Sequence, residues 1–493
     1  MLSKKFVSSS FALFFVVILS VSALADLPQG SCGDAQKTQT TTTQTAVING
    51  VSLAYQATTG FIEVTAADNS SKACVFYTSY TVNSQNSQRP ITFAFNGGPG
   101  SASLWLHMGF MAPLRVDMGA DGLTPPASLD LITNDYSPLD VTDIVMIDPV
   151  ATGFSHTESG ANTPFFGVKN DYTSVGAFVQ NYLSLNDRWL SPKFILGESY
   201  GGIRGNLLVN YLQSSLNIPI DGLILISPAV SDLSFFESAA DNLVPYWTFL
   251  PSFATTAWFH GKIGAQYKSL VASQVFVKAQ AFAENRYRPA LEMGSLIDNA
   301  EFNSVAQELS DWTGLPVSQI MNLNLRITDG NMFSGLLADS QMTIGRFDSR
   351  FRSLNLTHGG SGDPSDNATG IRYVPAINQY LRVNLGFKTT SPYAEFATIQ
   401  DWPISQSDGI DTMVQLSDAM VVNPRLRVLV ASGYFDLACP MGTVDYEIEQ
   451  MPHGKILSSR ISHTRYPSGH MLYLNPPVLA QLKSDVAGFI QKY

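Results

Sequence analysis

Lys193-Phe-Ile-Leu-Gly197-Glu198-Ser199-Tyr200-Gly201-Gly202-Ile203 carries an apolar run into Gly-x-Ser-x-Gly and out into a segment with helical spacing. A strand that turns at once into a helix forces its apex residue into a strained backbone conformation and leaves that side chain standing above the sheet. Gly197 and Gly201 suit such a turn because a Cβ at either position is expected to collide across it. Gly-x-Ser-x-Gly alone is a common string. With a strand before it and a helix after it, the string marks Ser199 as a nucleophile.

Outward from this turn, unbroken apolar runs recur at Ile91 to Phe95, Asp143 to Ile147, Gly222 to Ile226 and Arg427 to Val430. Runs without polar alternation suit strands buried on both faces. Helical spacing over Asp171 to Leu183 and Ile203 to Leu212 falls between them, so the fold class is α/β with a mostly parallel central sheet. Upstream, Val51 to Val82 is punctuated at Gly60 and Asp68-Asn69 and reads as antiparallel hairpins on one sheet edge. From Asp241 to Arg350 the strand pattern lapses into aromatic and polar sequence, including Trp247, Trp258 and Trp312. This stretch lies between sheet strands and its apolar residues need a surface to pack on, so a cap over the sheet is expected. Gly359 to Asp366 reads as an exposed loop.

A neutral serine needs a base to take its proton and a carboxylate to hold that base. With the nucleophile on a strand-to-helix turn of this kind, the chain order is Ser, then Asp or Glu, then His, which sets aside His107 and His156. Of the five histidines that follow Ser199, His470 stands out in Tyr466-Pro-Ser-Gly469-His470-Met471, behind a glycine that permits close approach. Asp436 sits just past the strand Arg427 to Val430, where a strand end feeds a site loop. Ser199, Asp436 and His470 form the expected triad. Asn96-Gly97-Gly98-Pro99-Gly100 directly follows the strand Ile91 to Phe95 and offers bare amides. Gly98 and Tyr200 are the expected oxyanion donors.

The N-terminus is of another kind. Lys4 and Lys5 precede the apolar run Phe11 to Val21, which ends in Ala23-Leu24-Ala25, the pattern of a cleaved secretory signal, so the mature chain is expected to begin near Asp26. This implies a secreted or periplasmic location, with no membrane attachment after cleavage. Thr38 to Thr45 is almost wholly Thr and Gln and reads as a flexible arm. The expected organisation is a signal over residues 1–25, an arm over 26–50, a core over 51–240 and 351–493, and a cap over 241–350.

The 493-residue chain carries a formal charge of −11, or −13 without Lys4 and Lys5, and has no basic cluster to track a phosphate backbone, so nucleic acid is not an expected partner. Three cysteines in an oxidising compartment suggest one disulfide, Cys32 with Cys74, and one free thiol, Cys439. Asn69, Asn355 and Asn367 open sequons that only a eukaryotic secretory pathway would glycosylate.

Asn96-Gly-Gly-Pro-Gly100, Asp148-Pro-Val-Ala-Thr-Gly-Phe-Ser155, Gly197-Glu-Ser-Tyr-Gly-Gly202, Asp436-Leu-Ala-Cys439 and Gly469-His-Met471, in this order, resemble the serine carboxypeptidase family, peptidase family S10. The resemblance implies an α/β-hydrolase fold with an inserted cap, no metal and no cofactor. It also implies release of C-terminal residues from peptides through an acyl-enzyme. It gives Asn96, Gly97 and Glu198 to binding of the substrate's terminal carboxylate, and Met471 and Cys439 to the pocket of the departing residue. Two carboxyl groups face each other only by sharing a proton, so Glu198 must be protonated and activity should favour acidic pH. The sequence departs from the eukaryotic pattern at Phe110, where a second carboxylate-binding Glu is expected, and at Ser101, where a Cys is usual; both departures resemble secreted bacterial members. Other readings stay open: an esterase or acyltransferase on the same triad, a catalytically silent binding protein, and a homodimer.

Overall fold

Successive residues of the apolar runs point into two different cores, which is why the runs are unbroken. Ala94, Ile144, Met146, Ile224 and Ile226 belong to one cluster, while Phe93, Phe95, Val145, Ile147, Leu223 and Leu225 belong to the other. Each such Val, Leu, Ile, Phe or Met side chain, fully buried, contributes about 1.5–3 kcal/mol. The structure is a computed structural model describing residues 31–36, 38–82, 88–232, 235–236, 241–355, 362–399 and 411–492. The expected signal, residues 1–25, lies outside the described residues.

The strands are β1 (Thr40–Ile48), β2 (Val51–Thr65), β3 (Lys72–Val82), β4 (Ile91–Phe95), β5 (Asp143–Ile147), β6 (Lys193–Glu198), β7 (Gly222–Ile226), β8 (Arg427–Gly433) and β9 (Ile461–Tyr466). They form one sheet in the order β1-β2-β3-β5-β4-β6-β7-β8-β9, with the short strand His156–Thr157 beside β3. From β5 to β9 all neighbours are parallel; β1, β2 and β3 are antiparallel. Helices α1 (Val168–Leu185) and α2 (Gly201–Ser214) bury Val175, Phe178, Leu208 and Leu212 in one core. The other core is closed by the C-terminal helix Pro476–Ile490.

Over the described residues 31–36 and 38–50, the arm expected at 26–50 is corrected by the structure. Cys32–Gln36 is a short helix and β1 pairs with β2 along its whole length, from Thr40 against Thr59 to Ile48 against Val51. The turn is Asn49-Gly50, both at positive φ (51° and 73°), the Asn-Gly pair that a two-residue hairpin favours. Threonine is β-branched and suits a strand with one solvated face, so low complexity here does not mean disorder. Cys32 is bonded to Cys74 of β3, fastening this edge, and Cys439 is free and buried.

Between β7 and β8 the chain leaves the sheet. Helices Leu250–Phe259, Ala272–Phe282 and Asn299–Thr313 surround a core of their own, built on Phe253, Val275, Leu309 and Trp312 and reaching Leu437, the neighbour of Asp436. A small hairpin, Met342–Ile344 with Arg352–Leu354, straddles the expected boundary at Arg350. The loop expected at Gly359 to Asp366 is shorter: residues 356–361 are outside the described set, and Asp363 already caps the helix Pro364–Gln379, accepting from the amides of Ser365 and Asp366. Asn69, Asn355 and Asn367 are all exposed.

Candidate active site

Ser199 stands at the β6 to α2 turn with φ = 63°, in the left-handed region that L-residues adopt only when held there. Its amide donates to Ile226 O (3.1 Å), and its carbonyl accepts from Gly202 N (2.8 Å) and Ala229 N (2.9 Å). A Cβ on Gly197 would lie 2.2 Å from Gly201 O, and one on Gly202 would lie 2.4 Å from Ala229 O, so both must be glycine. Gly201, which the sequence marked, has room: its nearest contacts would be at 3.4 Å. Helix α2 begins there and the crowding falls one residue later.

Asp436 and His470 are brought together. Asp436 Oδ2 meets His470 Nδ1 at 2.8 Å, and Asp436 Oδ1 accepts from the amides of Ala438 (2.8 Å) and Cys439 (2.9 Å). Both residues are buried. Burial opposes the imidazolium, but the Asp436 carboxylate, with help from Glu198, outweighs it and raises the His470 pKa above its ordinary value. Gly469 earns its place before His470, since a Cβ there would lie 2.4 Å from Asp348 Cβ. The Ser199 hydroxyl rests against the Cys439 thiol, and it makes no hydrogen bond to His470 in this structure. Such bonds are often formed only when substrate is bound.

The glycine loop lies directly on the elbow. A Cβ on Gly97 would come within 2.4 Å of Tyr200 N and 2.7 Å of Glu198 O, so only glycine lets the β4 loop approach this closely. Gly98 and Tyr200, the two expected donors, thereby flank one contact. Asn96 Oδ1 accepts from Leu106 N (2.9 Å), which turns its Nδ2 to Glu198 Oε1 (2.8 Å). Glu198 Oε1 also accepts from Tyr473 Oη (3.1 Å), while Glu198 Oε2 is buried without a partner. Burial pushes the Glu198 carboxyl up to about 7, against smaller downward pulls from His470, Tyr473 and Asn96. Met471 and Cys439 are buried, Cys439 packing with Tyr200 and Ile203. Phe110 is buried in the turn His107–Met111 among apolar neighbours.

Residues 49–493 match the family model for serine carboxypeptidases. The chain belongs to the serine carboxypeptidase family. It is a serine-type carboxypeptidase with the α/β-hydrolase fold. Its structure is similar to that of Kex1(delta)p, a prohormone-processing carboxypeptidase from Saccharomyces cerevisiae, at 16% identity over 89% of this chain and 92% of that one, with a TM-score of 0.55. A proline iminopeptidase from Mycobacterium smegmatis also matches, at 15% identity over 88% of this chain and 98% of that one, with a TM-score of 0.38.

Several residues that position this carboxypeptidase's candidate site escape sequence reasoning. Ser227, at φ = 43° just past β7, donates its hydroxyl to His470 O (2.7 Å) and its amide to Ala431 O (2.7 Å), so one turn bridges the elbow and the histidine loop. Arg204, buried on α2, pairs with Asp171 through Nε (2.8 Å) and Nη2 (3.1 Å) and donates Nη1 to Asn96 O (2.6 Å). Asp148 accepts from Ser103 N (2.8 Å) and Tyr393 Oη (2.8 Å), and burial pushes its carboxyl up to about 6. The Asp148 motif and the buried charge in a helix were the available signals; the partners were not.

A second Ser-His-Asp set obeys the same chain order. His463 Nδ1 meets Asp445 at 2.9 Å and its Nε2 meets Ser432 Oγ at 2.9 Å. Ser432 is fully buried within β8 and is absent from the positive-φ residues, so it presents no hydroxyl to a substrate. Backbone strain and exposure, rather than the triad of side chains, single out Ser199, the partly exposed member of its group.

Proposed function

We propose that Ser199 attacks the carbonyl of a peptide's last peptide bond, with His470 taking its proton and Asp436 holding the imidazole. A rotation of the Ser199 side chain from Cys439 towards His470 accompanies substrate entry. The oxyanion is met by the amides of Gly98 and Tyr200, His470 returns the proton to the departing amino acid, and water then cleaves the acyl-enzyme by the same route. Removing one oxyanion donor would cost about 3–4 kcal/mol of transition-state stabilisation.

The observation that carries the exopeptidase reading is Glu198 Oε2, a buried oxygen without a partner beside the nucleophile. Protonated, it donates to the substrate's terminal carboxylate while the second hydrogen of Asn96 Nδ2 donates to the other oxygen. His470 must be neutral and Glu198 protonated, so activity follows a bell whose alkaline limb is set by Glu198 near pH 7 and whose acidic limb is set by His470. Phe110 leaves Glu198 as the one acid of this pair. The test compares a peptide with a free C-terminus and its C-terminally amidated twin: the free acid is expected to be cleaved at least 10-fold faster in kcat/KM, and equal rates would refute carboxylate recognition. We also propose that the protein is exported; N-terminal sequencing of the mature form should begin near Asp26.

A further inference from the structure

Gly345 to Phe351 runs beside the histidine loop, and the Arg346 guanidinium lies over the Phe347 ring that packs on His470. The amides of Arg346 and Phe347 both donate to Asp363 Oδ2 (2.7 and 3.2 Å). The carbonyl of Arg346 accepts from Leu437 N (3.0 Å), next to Asp436, and that of Phe347 accepts from His470 N (2.6 Å). The backbone is thus fastened to both loops of the dyad. The Arg346 guanidinium lies 5.5 Å from the centre of the Phe347 ring, whose own centre is 5.3 Å from that of His470.

The guanidinium is half-buried and unspent. Arg204 pairs with Asp171 and Arg350 with Asp348, but Arg346 forms no ion pair and no side-chain hydrogen bond among the described residues. The acids around it are committed: Asp436 to His470 and two amides, Asp363 to the amides of Arg346, Phe347, Ser365 and Asp366, while Glu198 is largely neutral below pH 7. Its positive charge is felt at both His470 and Cys439, the groups that flank the Ser199 hydroxyl. A five-donor planar cation held in that position matches a carboxylate geometrically and electrostatically.

We propose that Arg346 makes this enzyme select peptides with an acidic side chain, Asp or Glu, on one of the two residues joined by the scissile bond. The inference rests on the reading of Ser199, Asp436 and His470 as the reaction centre. It adds a side-chain preference to the terminal-carboxylate preference assigned to Asn96 and Glu198.

The experiment uses N-blocked dipeptides with free C-termini, carrying Glu, Gln or Lys at one position and Ala at the other, with the full-length enzyme at pH 6 and low salt. For the wild type, kcat/KM for Glu over Gln is expected to be about 10-fold or more at one of the two positions. Arg346→Lys should keep most of that ratio, Arg346→Gln should bring it close to one, and Arg346→Glu should move the preference to Lys. A wild-type ratio near one at both positions overturns the proposal while leaving the carboxypeptidase reading intact. So does an equal slowing of Glu and Gln peptides in all three variants, which would make Arg346 a brace. Loss of the free-acid over amide preference in Arg346→Gln would assign it to the terminal carboxylate instead. Hydrolysis of none of these peptides by the wild type would sink the underlying reading itself.

Discussion

Asn96 Nδ2 and Glu198 Oε1 meet at 2.8 Å, and the direction of that bond is fixed because Asn96 Oδ1 already accepts the amide of Leu106. Asparagine therefore acts as a donor towards Glu198, and the carboxyl has one oxygen left over, buried and without a hydrogen-bond partner.

The first prediction concerns pH. Glu198 has its pKa raised to about 7 by burial, so its protonated form dominates below that pH and is lost as pH rises through it. Wild-type kcat/KM on free-acid peptides should fall above about pH 7, chiefly through KM. Glu198→Gln keeps a donor that cannot ionise, and its alkaline limb should disappear. The pH profiles of the two proteins decide the matter; an identical limb in the variant would assign the ionisation elsewhere.

Asp436→Asn should preserve the fold and lower kcat by about four orders of magnitude, because the amide no longer holds the productive tautomer of His470. Unchanged KM in steady-state assays, with an unaltered circular dichroism spectrum, would accompany this loss. A fall of less than 10-fold would show that the dyad does not operate.

Two glycines of the elbow region should behave differently. Gly97→Ala puts a methyl 2.4 Å from the backbone of Tyr200, which cannot yield, so the glycine loop must lift and kcat should fall about 100-fold or more. Gly201→Ala meets only ordinary contacts at 3.4 Å and gains helix propensity, so its activity should stay within a few-fold of wild type. Side-by-side kinetics and thermal melts separate the two.

Arg204→Met should be costly, since it leaves Asp171 buried without its cation and Asn96 O without its donor. Breaking such a pair costs about 3–5 kcal/mol, readable as a lower urea midpoint. In whatever fraction remains folded, KM for free-acid peptides should rise more than for the amidated twin, because the residue freed is Asn96.

Much of this arrangement was legible in the chain. The runs at Ile91, Asp143 and Gly222 begin and end where the strands do, because burial on both faces leaves no polar alternation to confuse them. Ser199, Asp436 and His470 could be nominated because their loops carry glycine and follow strand ends, and the structure brings Asp436 and His470 together. Thr40 to Ile48 was misread because composition was weighed above the Asn49-Gly50 turn that pairs it. Arg346, Ser227 and Tyr473 were invisible for a different reason: each has a partner more than 90 residues away, and nothing local announces such a contact.

The order of the strands also governs when activity can first appear. Ser199 leaves the ribosome with β6, but Asp436 follows only after the helical excursion and His470 later still, more than half the chain length after Ser199, and β8 must then slide in beside β7. No nascent or prematurely ended product that stops short of residue 470 holds the proposed nucleophile and base together. On the proposed mechanism, connectivity alone therefore withholds peptide hydrolysis until synthesis is nearly finished.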